Sequence, residues 1–132
     1  MKRKRLPSLP RLRRKLDRVF AAWVRARDYP SGWGKCITCG KERQLEAGHF
    51  LPRQHTATRY DERNVHGQYS YCNRWLHGAQ ADYYRALVEL YGQPTVEELF
   101  AKRRTTMRFR RADYELMIEQ FKPRPDSDPQ PF

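Results

Sequence analysis

The stretch Cys36-Ile37-Thr38-Cys39 opens a pattern that ends about thirty residues later, at Cys72-Asn73. Between them lie Gly48-His49-Phe50 and Asn64-Val65-His66. A Cys-x-x-Cys pair followed by a turn residue such as Gly40 is typical of a metal knuckle, in which two thiolates share one ion. The pattern predicts a knuckle, a histidine on a strand and a helix that begins near the third cysteine. Such an arrangement can hold one structural and one catalytic ion.

The composition favours a polyanionic partner. The chain has 132 residues and a formal net charge of +12, with a sequence pI of about 10.1. Residues 1–27 hold eleven Lys or Arg against one acid, Asp17. Nucleic acid is the polyanion that such a charge most readily suits. The sequence has no apolar run of about 18 residues and no secretory signal, so we expect no membrane partner and a cytoplasmic location.

The cysteine count favours metal binding over disulfides. Three cysteines cannot all pair with one another, and a chain without an export signal is expected to work in a reducing compartment. A redox Cys-x-x-Cys is the alternative. It is less favoured because that motif normally begins a helix, whereas Cys39 is followed by the turn residues Gly40-Lys41-Glu42-Arg43.

Hydrophobic periodicity predicts an α+β fold that is mostly helical, with a short hairpin around the first two cysteines. We expect a flexible basic arm over 1–10, a single domain over 11–122 and a disordered Pro-rich tail over 123–132. Within the domain, 11–28 is a basic helix, 35–78 a hairpin, loop and helix that carry the metal site, and 79–122 a helical C-terminal part.

Finer expectations follow from local signals. We expect a loop over 52–63 and an interruption of the next helix at His77-Gly78. That helix should stop at Gly92. Thr95 and Glu98 have the spacing of a capping box for the following helix, and a last helix is expected over 110–122.

A structural zinc site needs four ligands, and the sequence supplies three of them plainly. Cys36, Cys39 and Cys72 are thiols, but Tyr69 stands where a second Cys-x-x-Cys would place its first cysteine. A phenol with a pKa of about 10 is a poor zinc ligand. Three alternatives remain open. His66 or His77 completes the set, water completes it, or the site is weak or empty and Tyr69 packs in its place.

The spacing of His49, Asn64 and Asn73 resembles the HNH, or ββα-metal, nucleases, and this resemblance implies a small treble-clef or ββα-metal core flanked by helices. That resemblance implies that His49 is the general base that activates water, that Asn64 braces the loop through its backbone, and that Asn73 binds a catalytic Mg²⁺ or Mn²⁺. An ordinary buried, hydrogen-bonded histidine is the alternative for His49.

A carboxylate is also expected at the catalytic ion, because hard cations prefer oxygen ligands. Many HNH enzymes place an acid just before the base, where this chain has Gly48. Glu46 is near, but alternation puts it on the strand face opposite His49 unless a bulge occurs at Gly48. Asp61 and Glu62 are the other candidates, and Asp61 is preferred.

Further motifs narrow the resemblance. Over roughly residues 12–122 the chain is similar to the phage NinG (Rap) recombination proteins, and Cys72-Asn73 is also similar to the endonuclease-VII-type junction resolvases. The likeness implies a structure-specific DNA endonuclease for branched recombination intermediates, such as Holliday junctions or D-loops, in a bacterial host. Members of the family usually carry Cys at the position of Tyr69. The matching stretches are 36–41, 47–50, 58–66, 72–73, 83–92, 95–99 and 112–114.

The expected partner is branched or duplex DNA. Junction resolution requires two symmetric cuts, which predicts a homodimer whose formation DNA would promote by neutralising charge. The alternatives are a non-catalytic basic nucleic-acid-binding module with a degenerate nuclease site, and an RNA- or ribosome-associated basic protein. The candidate phosphate-binding residues are Arg13, Arg14, Lys15, Arg18, Arg53, Arg59, Arg63 and Arg74.

Overall fold

The computed structural model describes residues 3–123. Where the sequence predicts one domain, their contacts group into two compact units, 3–23 with 109–123 and 24–108. The predicted tail beyond residue 123 lies outside the described residues. No helix among those described is long and apolar enough to cross a bilayer.

The fold is α+β, with mostly helices and one small sheet, as the sequence predicts. A 3-10 turn over Glu62–Asn64 and a π-helical turn over Tyr71–Trp75 accompany the regular elements. Those elements are α1 (Leu9–Asp28), β1 (Trp33–Lys35), β2 (Glu42–His49), α2 (Thr56–Arg59), β3 (Val65–Tyr69), α3 (Gln80–Tyr91), α4 (Gln93–Arg103) and α5 (Arg111–Phe121).

The unit of 3–23 and 109–123 is built from helices. On α1 the apolar residues recur at helical spacing, and Leu12, Leu16 and Phe20 are buried. On α5 the buried residues include Phe121, whose ring meets that of Phe20 edge-on at a centroid distance of 4.8 Å. Aromatic contacts of this geometry add to the burial of apolar surface.

The sheet in 24–108 has the strand order β1-β2-β3, and both neighbouring pairs are antiparallel. The register of β2 with β3 runs without interruption from Leu45 opposite Tyr69 to His49 opposite Val65. The bulge considered at Gly48 therefore does not occur. Glu46 lies on the strand face opposite His49, because side chains alternate along a strand.

The apolar core of 24–108 joins the end of the hairpin to two helices. It is formed by Phe50, Leu51, Tyr83, Leu87, Val96 and Leu99, all almost fully buried. This cluster fixes the point at which the chain leaves β2, next to His49. The cluster therefore holds in place the end of β2 that carries the candidate site.

The ends of α3 and α4 show where local signals succeed and fail. The predicted stop at Gly92 is confirmed, since this residue ends α3 with a φ of +89°. The capping box predicted for Thr95 and Glu98 is wrong. The residue that caps α4 is Gly92, no side chain caps it, and Pro94 occupies the first turn, a position that proline suits.

Two further expectations need correction. The loop predicted over 52–63 contains α2 and most of the 3-10 turn. The strand β3 was not predicted. It is short, and its polar residues His66 and Gln68 are buried like Val65, so burial does not alternate along it. The expected interruption after the π-helical turn is present, with positive φ at His77, Gly78 and Ala79.

Candidate metal and catalytic site

Three thiols converge where the hairpin meets the π-helical turn. The sulfur atoms of Cys36, Cys39 and Cys72 all lie within 4.8 Å of one another. Cys36 and Cys72 are buried, and Cys39 is exposed. Gly40, with a φ of +72°, provides the left-handed turn that brings the first two together. Soft donors at this spacing suit zinc, so these residues could hold such an ion.

Hydrogen bonds converge on the sulfur of Cys36. It accepts the N–H of Tyr69 at 3.2 Å and that of Cys39 at 3.5 Å, and the Thr38 hydroxyl lies 3.3 Å away. Burial alone would raise the pKa of this thiol, but these bonds lower it to about 7. The protein therefore favours the thiolate, which is the form that binds metal.

Thr38 links Cys36 to a buried side chain that sequence reasoning missed. Gln68 is fully buried, and its Nε2 donates to Thr38 Oγ1 at 3.2 Å and to the carbonyl of Gly78 at 2.9 Å. Since Thr38 accepts from Gln68, its own proton is available for the sulfur of Cys36. Burial, followed by the neighbouring thiols, raises the pKa of Cys72.

The structure groups neither of the two expected histidines with the three cysteines. Among the described histidines, cysteines and acids, only the three cysteines form such a group. His77 is exposed on the interrupted segment after the π-helical turn. Tyr69 contributes its backbone N–H to Cys36, while its ring lies 4.8 Å from the guanidinium carbon of Arg43.

His66 belongs to a different polar cluster. Its Nδ1 lies 3.1 Å from Arg27 Nη2 and 3.4 Å from Asp28 Oδ2, and its Nε2 lies 3.1 Å from the hydroxyl of Tyr91. Asp28 also accepts the N–H of Gly67 at 3.0 Å. Burial alone would raise the pKa of Asp28, but His66, Arg27 and this N–H hold it well below its ordinary value. The cluster joins the end of α1 to β3 and α3.

We expect Asp28→Asn to destabilise 24–108, because it leaves Arg27 with an uncompensated charge. The free energy of unfolding at pH 7 should fall by roughly 3 kcal/mol, the low end for a broken buried pair, since Asp28 is partly exposed. A carboxylate whose pKa is depressed on folding stabilises the protein above its ordinary pKa of 3.8, and this contribution is lost as pH falls through the native value. Urea unfolding should therefore show a smaller difference at about pH 3 than at pH 7.

The matched control is Asp82→Asn, which removes an exposed carboxylate that lies 3.8 Å from Arg85. It should change stability by less than about 0.5 kcal/mol at either pH. Equal effects of the two variants would contradict the role assigned to Asp28.

His49 ends β2 and is held by the loop that follows. Its Nε2 lies 2.9 Å from the carbonyl oxygen of Arg59, so Nε2–H is the donor and Nδ1 carries the lone pair in the neutral ring. A backbone carbonyl thus selects the tautomer, as is usual for functional histidines. The ring is half-buried. In this tautomer Nδ1 is the ring atom that could accept a proton.

Asn64 ties the same loop together from inside. It is fully buried, and its Nδ2 donates to the carbonyls of Leu51 and Thr58 at 3.1 and 3.0 Å. Its Oδ1 accepts the N–H of Leu51 at 2.8 Å. These bonds fix the backbone on both sides of the loop whose Arg59 carbonyl orients His49.

Asn73 meets a carboxylate, but not the one preferred from the sequence. Its Nδ2 donates to Glu46 Oε1 at 2.8 Å. Arg74, on the same turn, also pairs with Glu46, with its Nη2 2.9 Å from Oε2. The guanidinium of Arg74 is largely exposed, so this pair is weak and readily exchanged. A carboxylate and an amide at this point suit a hard divalent cation.

Asp61, the carboxylate preferred from the sequence, forms ion pairs with two cationic side chains of the protein. Its carboxylate is almost fully buried and bonds to Arg63 at 3.0 Å and to Lys102 at 2.7 Å. Burial alone would raise its pKa, but these partners lower it to about 2. It also caps the 3-10 turn through the N–H of Arg63. The structure therefore brings Glu46 to Asn73 and gives Asp61 a structural role. Glu62 is exposed.

Gly48 leaves no room for the acid that HNH enzymes often carry there. A Cβ at this position would lie 2.1 Å from Gln68 Oε1 and 2.8 Å from Gln68 Cβ. The space is therefore filled by Gln68, which also supports Thr38. Gln68 Oε1 is buried and has no hydrogen-bond partner among the described residues.

The candidate phosphate-binding residues fall into two groups. Arg63 pairs with Asp61 and Glu98, and Arg74 with Glu46. Arg59 donates to the carbonyl of Arg53 at 3.2 Å. The remaining four cations lie on α1 and are exposed: Arg13, Arg14, Lys15 and Arg18.

Comparison with known proteins identifies the family to which the chain belongs. The family model described as Bacteriophage Lambda NinG protein matches residues 1–125. The chain belongs to the NinG family. Its relatives include the proteins called Protein ninG from Escherichia phage 933W and from Enterobacteria phage VT2-Sa. Each is 36% identical over 78 residues, which cover 57% of this chain and 36% of the relative.

The match therefore covers well under two thirds of the length of these NinG relatives. No solved structure matches the chain. Within this NinG-family chain, sequence reasoning missed two parts of the site, the Thr38–Gln68 link and the pairing of Glu46 with Asn73. Neither has a local signal, since each joins residues that are distant in sequence.

Proposed function

We propose that this NinG-family chain is a metal-dependent, structure-specific DNA endonuclease that acts on branched recombination intermediates such as Holliday junctions or D-loops. One observation carries the proposal. The strand β2 holds a histidine whose tautomer is set by a backbone carbonyl, and the same strand holds a carboxylate paired with Asn73. A general base and an oxygen-donor set are the two parts that hydrolysis of a phosphodiester needs.

His49 would act as the general base. With its Nε2 proton held by the carbonyl of Arg59, Nδ1 accepts a proton from water as the oxygen of that water attacks phosphorus. The bond from phosphorus to the leaving oxygen then breaks. Asn64 serves this step indirectly, because it fixes the loop that supplies the carbonyl.

Glu46 and Asn73 would hold a Mg²⁺ or Mn²⁺ ion. Although Glu46 lies on the strand face opposite His49, it shares that face with Gly48, so it would take the place of the acid that Gly48 cannot provide. Such an ion neutralises charge that develops on the leaving oxygen. Arg74 competes for the same carboxylate, but as an exposed partner it can move to a DNA phosphate when the cation binds.

Cys36, Cys39 and Cys72 would hold a structural zinc ion that fastens the knuckle to the turn carrying Asn73. Three thiolates carry one more negative charge than a Zn²⁺ ion neutralises. The N–H groups and the hydroxyl that hydrogen-bond to the sulfur of Cys36 would stabilise this remaining charge. The net charge of +12 supports DNA as the polyanion. We also propose a homodimer, because a two-fold junction needs two cuts.

The carboxylate assignment is tested by Glu46→Gln. Mutating even an outer partner of a metal site typically lowers affinity or activity 10–100-fold, so a direct ligand should cost at least about tenfold. Junction cleavage should be titrated with Mg²⁺, and the midpoint should move to higher Mg²⁺ in Glu46→Gln. The control is Glu62→Gln, an exposed acid in the neighbouring 3-10 turn. A shift in Glu62→Gln with none in Glu46→Gln would contradict the assignment.

A non-catalytic nucleic-acid-binding module is the second candidate, and one observation favours it. The position before His49 cannot carry an acid while Gln68 fills the space beside Gly48. This alternative expects salt-sensitive binding with no cleavage under any divalent ion. The slope of log affinity against log salt would count the phosphates that the protein neutralises.

A further inference from the structure

The π-helical turn presents a strongly exposed aromatic surface. Trp75 is 75% exposed and Tyr71 is 52% exposed, and Leu76 beside them is also exposed. Large apolar side chains grouped on one exposed turn commonly mark an interaction site. The proposed chemistry uses Asn73 from this turn but does not use these rings.

Tyr71 and Trp75 begin and end the π-helical turn, and both are exposed. Because residues four apart are neighbours on the surface of a helix, we expect the two rings to share one side of the turn. Asn73 lies between them and turns to Glu46 on the sheet. Because a helix with its side chains is about 10–12 Å across, the aromatic surface is within roughly that distance of Asn73. π-Helical turns are frequent at functional sites.

The surface continues onto the end of β3. The ring of Tyr69 lies 6.5 Å from that of Tyr71, and the guanidinium carbon of Arg43 lies 4.8 Å from the ring centroid of Tyr69. Arg43 Nε is buried and has no hydrogen-bond partner among the described residues. Rings and guanidinium groups side by side are the usual means of binding unpaired bases and their phosphates.

The charge of the surface argues against a second copy of the chain as its occupant. A self-complementary contact would place Arg43 of both copies in one interface, in a chain of net charge +12. A single strand of DNA offers the opposite charge together with exposed faces of bases. In a duplex those faces are already stacked.

We propose that Tyr71 and Trp75, with Tyr69 and Arg43, form a stacking surface for unpaired nucleobases, so that the protein selects DNA whose strands have separated, as at a branch point. This inference rests on the proposed function, because it assumes a DNA substrate. It adds a physical reason for structure selectivity, because the protein would bind more tightly to DNA in which bases near the candidate site are unpaired and free to stack.

The test is equilibrium binding of the full chain in EDTA, which excludes cleavage from the readout. Fluorescence anisotropy would follow labelled oligothymidylate of about 16 nucleotides and a blunt-ended duplex of two separate strands, which has no unpaired bases. Trp75→Ala should weaken binding to oligothymidylate about 5- to 100-fold and binding to the duplex less than about threefold. Trp75→Phe should restore most of the loss. Leu116→Ala, which removes an apolar side chain that is 70% exposed, should change neither.

Each outcome is decisive. Equal weakening of both DNAs, or no weakening of either, would overturn the stacking surface. A change from dimer to monomer in sedimentation of Trp75→Ala would assign the surface to a second copy and would also overturn it. Selective weakening in a protein that cleaves no junction would keep the stacking surface and reject the endonuclease. Junction cleavage by the parent, without selective weakening of oligothymidylate binding in Trp75→Ala, would keep the endonuclease and reject the stacking surface.

Discussion

His49→Ala should lower the rate of junction cleavage by roughly 100- to 10,000-fold, the contribution that a general base typically makes. The expectation follows from one contact. The 2.9 Å approach of Nε2 to the carbonyl of Arg59 leaves Nδ1 as the atom that accepts the proton. Binding in EDTA should be nearly unchanged, because the ring is small and the phosphate contacts lie on other side chains. Single-turnover kinetics with Mg²⁺ measures the loss directly.

The matched control for this variant is His55→Ala. His55 lies in the loop after β2 and precedes α2 without capping it through its side chain. Its loss should change the cleavage rate by less than about threefold. If His49→Ala cut within threefold of the parent, His49 would not be the base. Added imidazole should partly restore cleavage by His49→Ala and leave His55→Ala unchanged.

Cys36→Ser should abolish stabilisation of the protein by zinc. Zinc at about 1,000 times its dissociation constant stabilises a folded protein by about 4 kcal/mol. Removing one of the three thiols should bring this stabilisation close to zero, because Cys36 lies within 4.8 Å of both other sulfurs and is almost fully buried. The measurement is urea unfolding with and without zinc, together with the zinc content of the purified protein.

The parent protein in a zinc chelator provides the comparison for Cys36→Ser. The two should unfold at similar urea concentrations, apart from the cost of burying a hydroxyl in place of the thiol. If neither zinc nor the chelator changes the free energy of unfolding of the parent protein, the three thiols hold no ion. Equal zinc content in Cys36→Ser and the parent would place the ion elsewhere.

Much of the fold could be predicted where local chemistry decides the structure. The knuckle follows from two cysteines and a glycine, which stand within five residues of sequence. The end of α3 follows from Gly92, whose positive φ few other residues adopt readily. The apolar stripe of α1 follows from its spacing. In each case the residues that make the signal also make the structure.

The prediction failed where the structure depends on contacts between distant residues. β3 was missed although it pairs with β2 along its whole length, because its polar residues His66 and Gln68 are buried like Val65. The choice of Asp61 over Glu46 as a ligand of the catalytic ion stays a prediction, and the strand alternation on which it rested holds in the structure. Only the fold shows that Asp61 forms ion pairs with Arg63 and Lys102. It also shows that Asn73, on the π-helical turn, donates a hydrogen bond to Glu46.

The most direct test of the account is cleavage of a labelled four-way junction beside a linear duplex of the same sequence, with Mg²⁺, Mn²⁺ or EDTA. We expect cutting that needs a divalent ion, prefers the junction and disappears in His49→Ala. Tight, salt-sensitive binding of both DNAs with no cutting under any ion would contradict the account, and would identify the chain as a binding module with a degenerate nuclease site.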